Sequence, residues 1–180
     1  KQNSAYQIIL LNVLSMEGEC STERLVRAIE YAESAGVKIC NLSLSTYSND
    51  QKLRAVIEKS KMLFVVAAGN EGENLDKGFP SYPTNYKLDN VISVAALDDN
   101  GKLIEMSNYG ENTVDIAENG IITCENEIVE GTSIAAGKMS AIVTRYYGLS
   151  QKKLSADKYK KEVLIFVEKN NSLQKICELL

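Results

Sequence analysis

Short apolar runs alternate with amphipathic stretches along the first hundred residues, and the period of each run decides what it forms. Tyr6 to Leu14 is a near-continuous apolar run, as are Val37 to Leu44, Met62 to Ala68 and Val91 to Ala96. Short runs apolar on both faces read as buried strands. Between them the spacing becomes helical. Ser21-Thr22-Glu23 opens a helix with Leu25, Ile29 and Ala32 on one face, and Ala35-Gly36 ends it. Asp50 to Lys59 is a second helix, with Leu53, Val56 and Ile57 inward. Buried strands separated by helices predict an α/β fold, a parallel sheet with helices on both faces and right-handed crossovers.

The pattern loosens after residue 70. Glu71 to Asn90 contains both prolines of the chain, Pro80 and Pro83, with Gly78 and Tyr82, and reads as a structured loop. Gly101 to Met106, Val114 to Ala117 and Ile121 to Cys124 are expected as shorter strands joined by Asx- and Gly-rich turns. Thr132 to Tyr147 is a long apolar helix, with Ala135, Met139, Ile142 and Val143 at helical spacing. Ala156 to Leu180 predicts one or two amphipathic helices packed on the outside.

Composition narrows the class. A chain of 180 residues, 44% apolar and 24% charged, is of one-domain size and ordinary globular usage. No apolar run has the length of a membrane span, and no basic-then-apolar leader opens the chain. The sequence begins at Lys1, just ahead of the first apolar run, which predicts a natural start further upstream. Residues 1–137 hold 11 Lys/Arg against 20 Asp/Glu, a net of −9, whereas residues 138–180 hold 9 against 4, a net of +5. The lysines of that tail are interleaved with Tyr159, Val163, Leu164 and Phe166. They read as solvated helix faces, so neither nucleic acid nor membrane is expected as a partner.

Cys20, Cys40, Cys124 and Cys177 share no metal-ligand spacing, and the chain has no histidine. Free thiols are expected, with no metal or cofactor, and they lean toward a reducing, cytoplasmic setting.

Candidate chemistry rests on two segments. Val65-Val66-Ala67-Ala68-Gly69-Asn70-Glu71-Gly72 ends an apolar strand in a glycine turn that presents an asparagine amide. Glu130-Gly131-Thr132-Ser133-Ile134-Ala135-Ala136-Gly137 places a serine hydroxyl in the first turn of an apolar helix. Serine catalysis needs a hydroxyl on a rigid turn, an oxyanion donor and a base. The first two are represented. Taken singly, Asn70 also reads as a turn residue and Ser133 as a helix-start serine capping its own turn. Lys138, five positions after Ser133, falls about 140° round the helix and reads as a surface lysine rather than a base.

In order along the chain, these segments resemble the subtilisin-like serine proteases, the subtilases. Ile8 to Leu14 followed by Gly18-Glu19-Cys20 resembles one wall of their substrate cleft. Val37 to Ser45, ending in Ser43-Leu44-Ser45, resembles the strand that pairs with substrate backbone. Val65 to Gly72, with Ala68, Gly69 and Asn70, resembles the oxyanion segment. Ser81-Tyr82-Pro83 followed by Val91 to Val94 resembles the far wall of the primary specificity pocket. Gly131-Thr132-Ser133-Ile134-Ala135 resembles the nucleophile motif. The match covers residues of about 6 to 148 of one partial domain spanning 1–180, leaving 149–180 as a helical extension.

The resemblance implies a serine endopeptidase acting on polypeptide, with Ser133 as nucleophile and Asn70 as oxyanion donor. The implied substrate contacts are Gly18, Glu19, Cys20, Ser43, Leu44, Ser45, Ala68, Gly69, Ser81 and Thr132. The family's catalytic Asp and His precede the first matching segment. They are expected on an upstream segment of the same protein, and this chain alone is expected to be inactive. Gly137 and Lys138 stand where the family has proline and histidine, and Ser45 stands where it has glycine. The alternative is a pseudo-protease that keeps the cleft as a peptide-binding or regulatory module.

Overall fold

A computed structural model describes residues 6–150 and 154–169. Its centre is a four-stranded parallel sheet of β1 (Ile39–Leu42), β2 (Leu63–Ala67), β3 (Val91–Leu97) and β4 (Ile116–Asn119), in the order β1-β2-β3-β4. Every residue of β2 and β3 is buried, which is why both read as unbroken apolar runs.

Alternate strand residues feed opposite faces. On one side α1 (Thr22–Ser34) and α2 (Gln51–Lys59) bring Leu25, Ile29, Leu53 and Ile57 onto Leu42, Phe64 and Val66. On the other, α3 (Thr132–Leu149) and α4 (Ala156–Lys169) bring Ala135, Met139, Val143 and Val163 onto Leu63, Val65, Ile92 and Val94. Both early helices start on the expected caps. Ser21 Oγ accepts the Arg24 N–H, and Asp50 Oδ1 accepts those of Lys52 and Leu53 at 2.7 and 3.1 Å.

Three expectations are corrected. Tyr6 to Leu14 is not a central strand: Leu14 makes one antiparallel bridge to Cys20, and the residues before it make no ladder. Leu11 and Val13 pack on the α1–α2 core, but Ile8 and Leu10 are 82% and 92% exposed. The segment has strand periodicity without a neighbouring strand to pair its backbone, so that backbone stays solvated. Gly101 to Met106 is a turn rather than a strand. Asp98 Oδ1 accepts the N–H groups of Asn100 and Lys102, folding the chain back so that one bridge, Leu97 to Leu103, remains. Finally, α4 is no outer decoration, because Tyr159, Val163 and Val167 are buried in the main core.

The expected Ile121 strand forms as β5 (Ile121–Cys124), paired antiparallel with β6 (Glu127–Glu130) in an exposed hairpin that leads into α3. In the basic tail Lys160 pairs with Asp115 at 2.8 Å. No helix among the described residues is long and apolar enough to cross a membrane. The expected helix beyond residue 169, and Cys177 with it, lies outside the described residues.

Candidate active site

Parallel strands deliver their following loops to one edge of a sheet. β1 and β2 are neighbours with Leu42 opposite Val66, so Ser43 and the Ala68-Gly69-Asn70 turn leave the sheet side by side. The start of α3 is docked onto both. Ser133 Oγ donates to the Ser43 carbonyl at 3.3 Å, and Ser43 Oγ donates to the Ser133 carbonyl at 2.8 Å.

Thr132 fixes Asn70. Its N–H and its hydroxyl both donate to Asn70 Oδ1 at 2.9 Å, and its Oγ1 accepts the Gly69 N–H at 3.2 Å. With both partners donating, the amide oxygen must face Thr132, which directs the NH₂ group away from it. Gly131 precedes this turn at φ +150°, and a Cβ there would lie 3.4–3.5 Å from the Asn70 amide. Glycine therefore suits the position on backbone geometry, the contact itself leaving room for a Cβ. In the first turn of α3, Asn70 takes the Thr132 N–H and Gly131 O takes those of Ile134 and Ala135.

Asn108 was not anticipated from sequence, yet it is the scaffold of the Asn70 loop. It is buried, its Oδ1 accepts the N–H groups of Glu71 and Glu73, and its Nδ2 donates to the Ala68 carbonyl at 3.1 Å and to Glu71 Oε2 at 2.5 Å. Its backbone N–H closes on the Gly69 carbonyl at 2.9 Å. The sequence signal was faint: an Asx in the Ser107-Asn108-Tyr109-Gly110 turn, 35 to 40 positions from its partners.

The other expected site residues divide into two groups. Ser81 is buried below the Gly69 turn, and its neighbour Tyr82 exchanges backbone hydrogen bonds with Thr46 at 2.8 and 2.9 Å, joining this floor to the loop after Ser43-Leu44-Ser45. Ser43 and Ser45 are exposed, with Leu44 half-buried. Gly18, Glu19 and Cys20 form a separate exposed loop closed by the Ser15 N–H on the Glu19 carbonyl. Burial raises the Cys20 thiol above its ordinary pKa, against a smaller lowering by Arg24, so it is a poor thiolate source. Cys40 is pushed up to about 12 by burial alone. Cys20, Cys40 and Cys124 are free.

Lys138 corrects its surface reading. It is half-buried, with Nζ donating to Asn119 Oδ1 at 2.5 Å and to the Ile121 carbonyl at 2.7 Å, turned to the β4–β5 connection instead of Ser133. Beside it, burial raises the Glu118 carboxyl, opposed by the Asn119 N–H and the Lys138 charge.

Comparison with known proteins agrees with this geometry. The sequence profile of the Subtilase family, Peptidase_S8, matches residues 4–170, and the chain belongs to that family. It is 29% identical to subtilisin DY of Bacillus licheniformis over 153 residues, 78% of this chain and 55% of that protein. It is 35% identical to halolysin of Haloferax mediterranei over 139 residues, 72% of this chain and 25% of that one. A crystal structure of a lanthipeptide protease superposes with a TM-score of 0.64 at 20% identity, covering 88% of this chain and 61% of the other. The chain thus spans about half or less of the curated relatives it matches.

Proposed function

We propose that this chain carries the nucleophile half of a subtilisin-like serine endopeptidase that hydrolyses peptide bonds in polypeptides. The observation that carries the reading is the docking of the Gly131–Ser133 turn on the Asn70 turn, with the Thr132 N–H and hydroxyl both donating to Asn70 Oδ1 and so turning the Asn70 NH₂ away from Thr132. Ser133 Oγ attacks the scissile carbonyl. The oxyanion that forms is stabilised by Asn70 Nδ2 and by the positive end of α3. Extended substrate lies along the exposed Ser43-Leu44-Ser45 and Gly18-Glu19-Cys20 segments by backbone pairing.

The base is not on this chain, which has no histidine. The Ser133 proton is directed at the Ser43 carbonyl, which cannot accept it in catalysis. We assign the base and its orienting aspartate to an upstream segment of the same protein. Two features fit a missing neighbour there: β1 pairs only with β2 among the described residues, and Ile8 and Leu10 stand exposed on a strand-like segment. A pseudo-protease is the second reading, and the satisfied Ser133 hydroxyl is the observation that favours it.

Labelling with a serine-directed phosphonate separates them. The 180-residue chain should not label, whereas the protein with its upstream residues should label and cleave peptide, both lost in Ser133→Ala. Asn70→Ala should then cost about 2.7–4 kcal/mol of transition-state stabilisation, the scale known for this donor in subtilisin itself. Peptide binding without labelling in the longer protein would establish the second reading.

A further inference from the structure

A groove of about 990 Å³ opens at the edge of the sheet where the strands begin, opposite the edge that carries Ser43, Asn70 and Ser133. Its floor comes from the approaches to three neighbouring strands. Lys38 precedes β1, Lys61 precedes β2 and Asn90 precedes β3. They are tied together by the Leu63 N–H on the Lys38 carbonyl at 2.9 Å and the Phe64 N–H on the Asn90 carbonyl at 2.8 Å. Arg54 and Glu58 of α2 and the start of α4 form the sides. The volume suits a small organic ligand.

Asn90 supplies an open acceptor. The residue is 7% exposed, and its Nδ2 donates to the carbonyls of Ile57, Ser60 and Met62 at 2.7, 3.3 and 3.4 Å, which turns Oδ1 away from them. That oxygen has no hydrogen-bond partner among the described residues and is not sealed from solvent. A nearly buried acceptor left open in this way marks a place for a ligand N–H. The walls around it are apolar and aromatic, with Leu88, Leu154, Tyr86 and Tyr147.

The rim carries unpaired cations. Lys38, Lys61 and Lys87 are exposed and Arg54 is half-buried, and none of them forms an ion pair among the described residues. Glu58, Asp89 and Asp157 share the lining, but Asp157 is already engaged: the Ser155 hydroxyl and N–H groups of its own helix hold its carboxyl below the ordinary aspartate value. Residues 1–137 are acidic as a whole, so cations gathered without partners on one groove favour an anionic ligand.

We propose that this groove binds a nucleoside phosphate. The base lies between the apolar walls with an exocyclic amino group donating to Asn90 Oδ1, and the phosphates reach the ammonium groups of Lys38 and Lys61. An inorganic polyanion would leave the Asn90 acceptor and the apolar walls unused, and a neutral nucleoside would leave the cations unpaired, whereas a nucleotide engages both. The groove shares no residue with the peptide cleft, so the two readings stand or fall separately.

The test titrates ATP, purine riboside triphosphate, adenosine and inorganic triphosphate against the chain by calorimetry. Purine riboside triphosphate is ATP without its amino group, so the hydrogen bond is deleted in the ligand and the Asn90 amide keeps its structural contacts. ATP should bind about tenfold or more tightly than each of the other three, and its affinity should fall as salt rises. Lys38→Ala with Lys61→Ala removes two exposed side chains; it should weaken ATP about tenfold and leave adenosine unchanged, with thermal unfolding showing the fold intact. Absence of ATP binding, equal affinities for ATP and inorganic triphosphate, or equal affinities for ATP and its amino-free analogue would each overturn the proposal. So would ATP affinity that survives loss of both lysines.

Discussion

At the level of single residues, Thr132 matters as much as the two side chains the motifs advertise. Its hydroxyl is fully buried, accepts the Gly69 N–H and donates to Asn70 Oδ1, so one atom links the Gly131–Ser133 turn to the Ala68–Asn70 turn. Thr132→Val keeps the shape but strands a buried N–H. Destabilisation of about 1–3 kcal/mol is expected in urea unfolding, with the slope unchanged. Asp76 makes a comparable link further out, accepting from Asn112 N and Nδ2 and from Thr113 Oγ1 at 2.5–3.3 Å. Burial tends to raise its carboxyl, but these hydrogen bonds and the Lys87 charge outweigh that and hold it below the ordinary aspartate value. A depressed carboxyl stabilises the fold above its unfolded pKa, near 4, and loses that contribution as pH falls through its lower folded value. Unfolding free energy measured from pH 6 to 2 should therefore fall less steeply in Asp76→Asn than in the unaltered chain.

Among the elements, those with an unambiguous period and a partner in the chain were legible, and those that depend on a neighbour were not. Leu63–Ala67 and Val91–Leu97 are apolar throughout because both faces are covered, and Ser21 and Asp50 announced their helices. Tyr6–Leu14 carried the same apolar signal but lacks a strand beside it, a fact about pairing that composition does not encode. Asn108 and Lys138 were missed for a related reason: each acts through contacts distant in sequence. The weight borne by α4 follows the same logic, since amphipathicity shows that a face is covered without showing what covers it. Val163 is fully buried in the main core and Ile165 is 49% exposed. Val163→Ala should cost about 1–3 kcal/mol and Ile165→Ala within about 0.5 kcal/mol, a contrast readable by thermal or urea unfolding. Equal, small effects would mean that α4 does not hold the α3 face in place.

Across the whole molecule the two sides of the sheet end differently. The β4 side continues into the β5–β6 connection, where Lys138 ties it to α3, whereas the β1 side ends at a strand paired only with β2 among the described residues. On the segment ahead of α1, Ile8 and Leu10 are exposed, as is Met16. Unpaired strand edges and clustered apolar side chains are templates for association. The chain by itself should accordingly self-associate as its concentration rises, and Ile8→Lys with Leu10→Lys should shift it toward monomer, because charge on an open segment opposes edge-to-edge pairing. Sedimentation velocity across a concentration series reads this directly. Extending the chain upstream should have the same effect as the two lysines if the added residues occupy the open edge, and it alone should also confer phosphonate labelling of Ser133. A chain that stays monomeric at every concentration would show that the β1 side is already closed by its own residues, and the base would then have to come from elsewhere than a segment inserted beside β1.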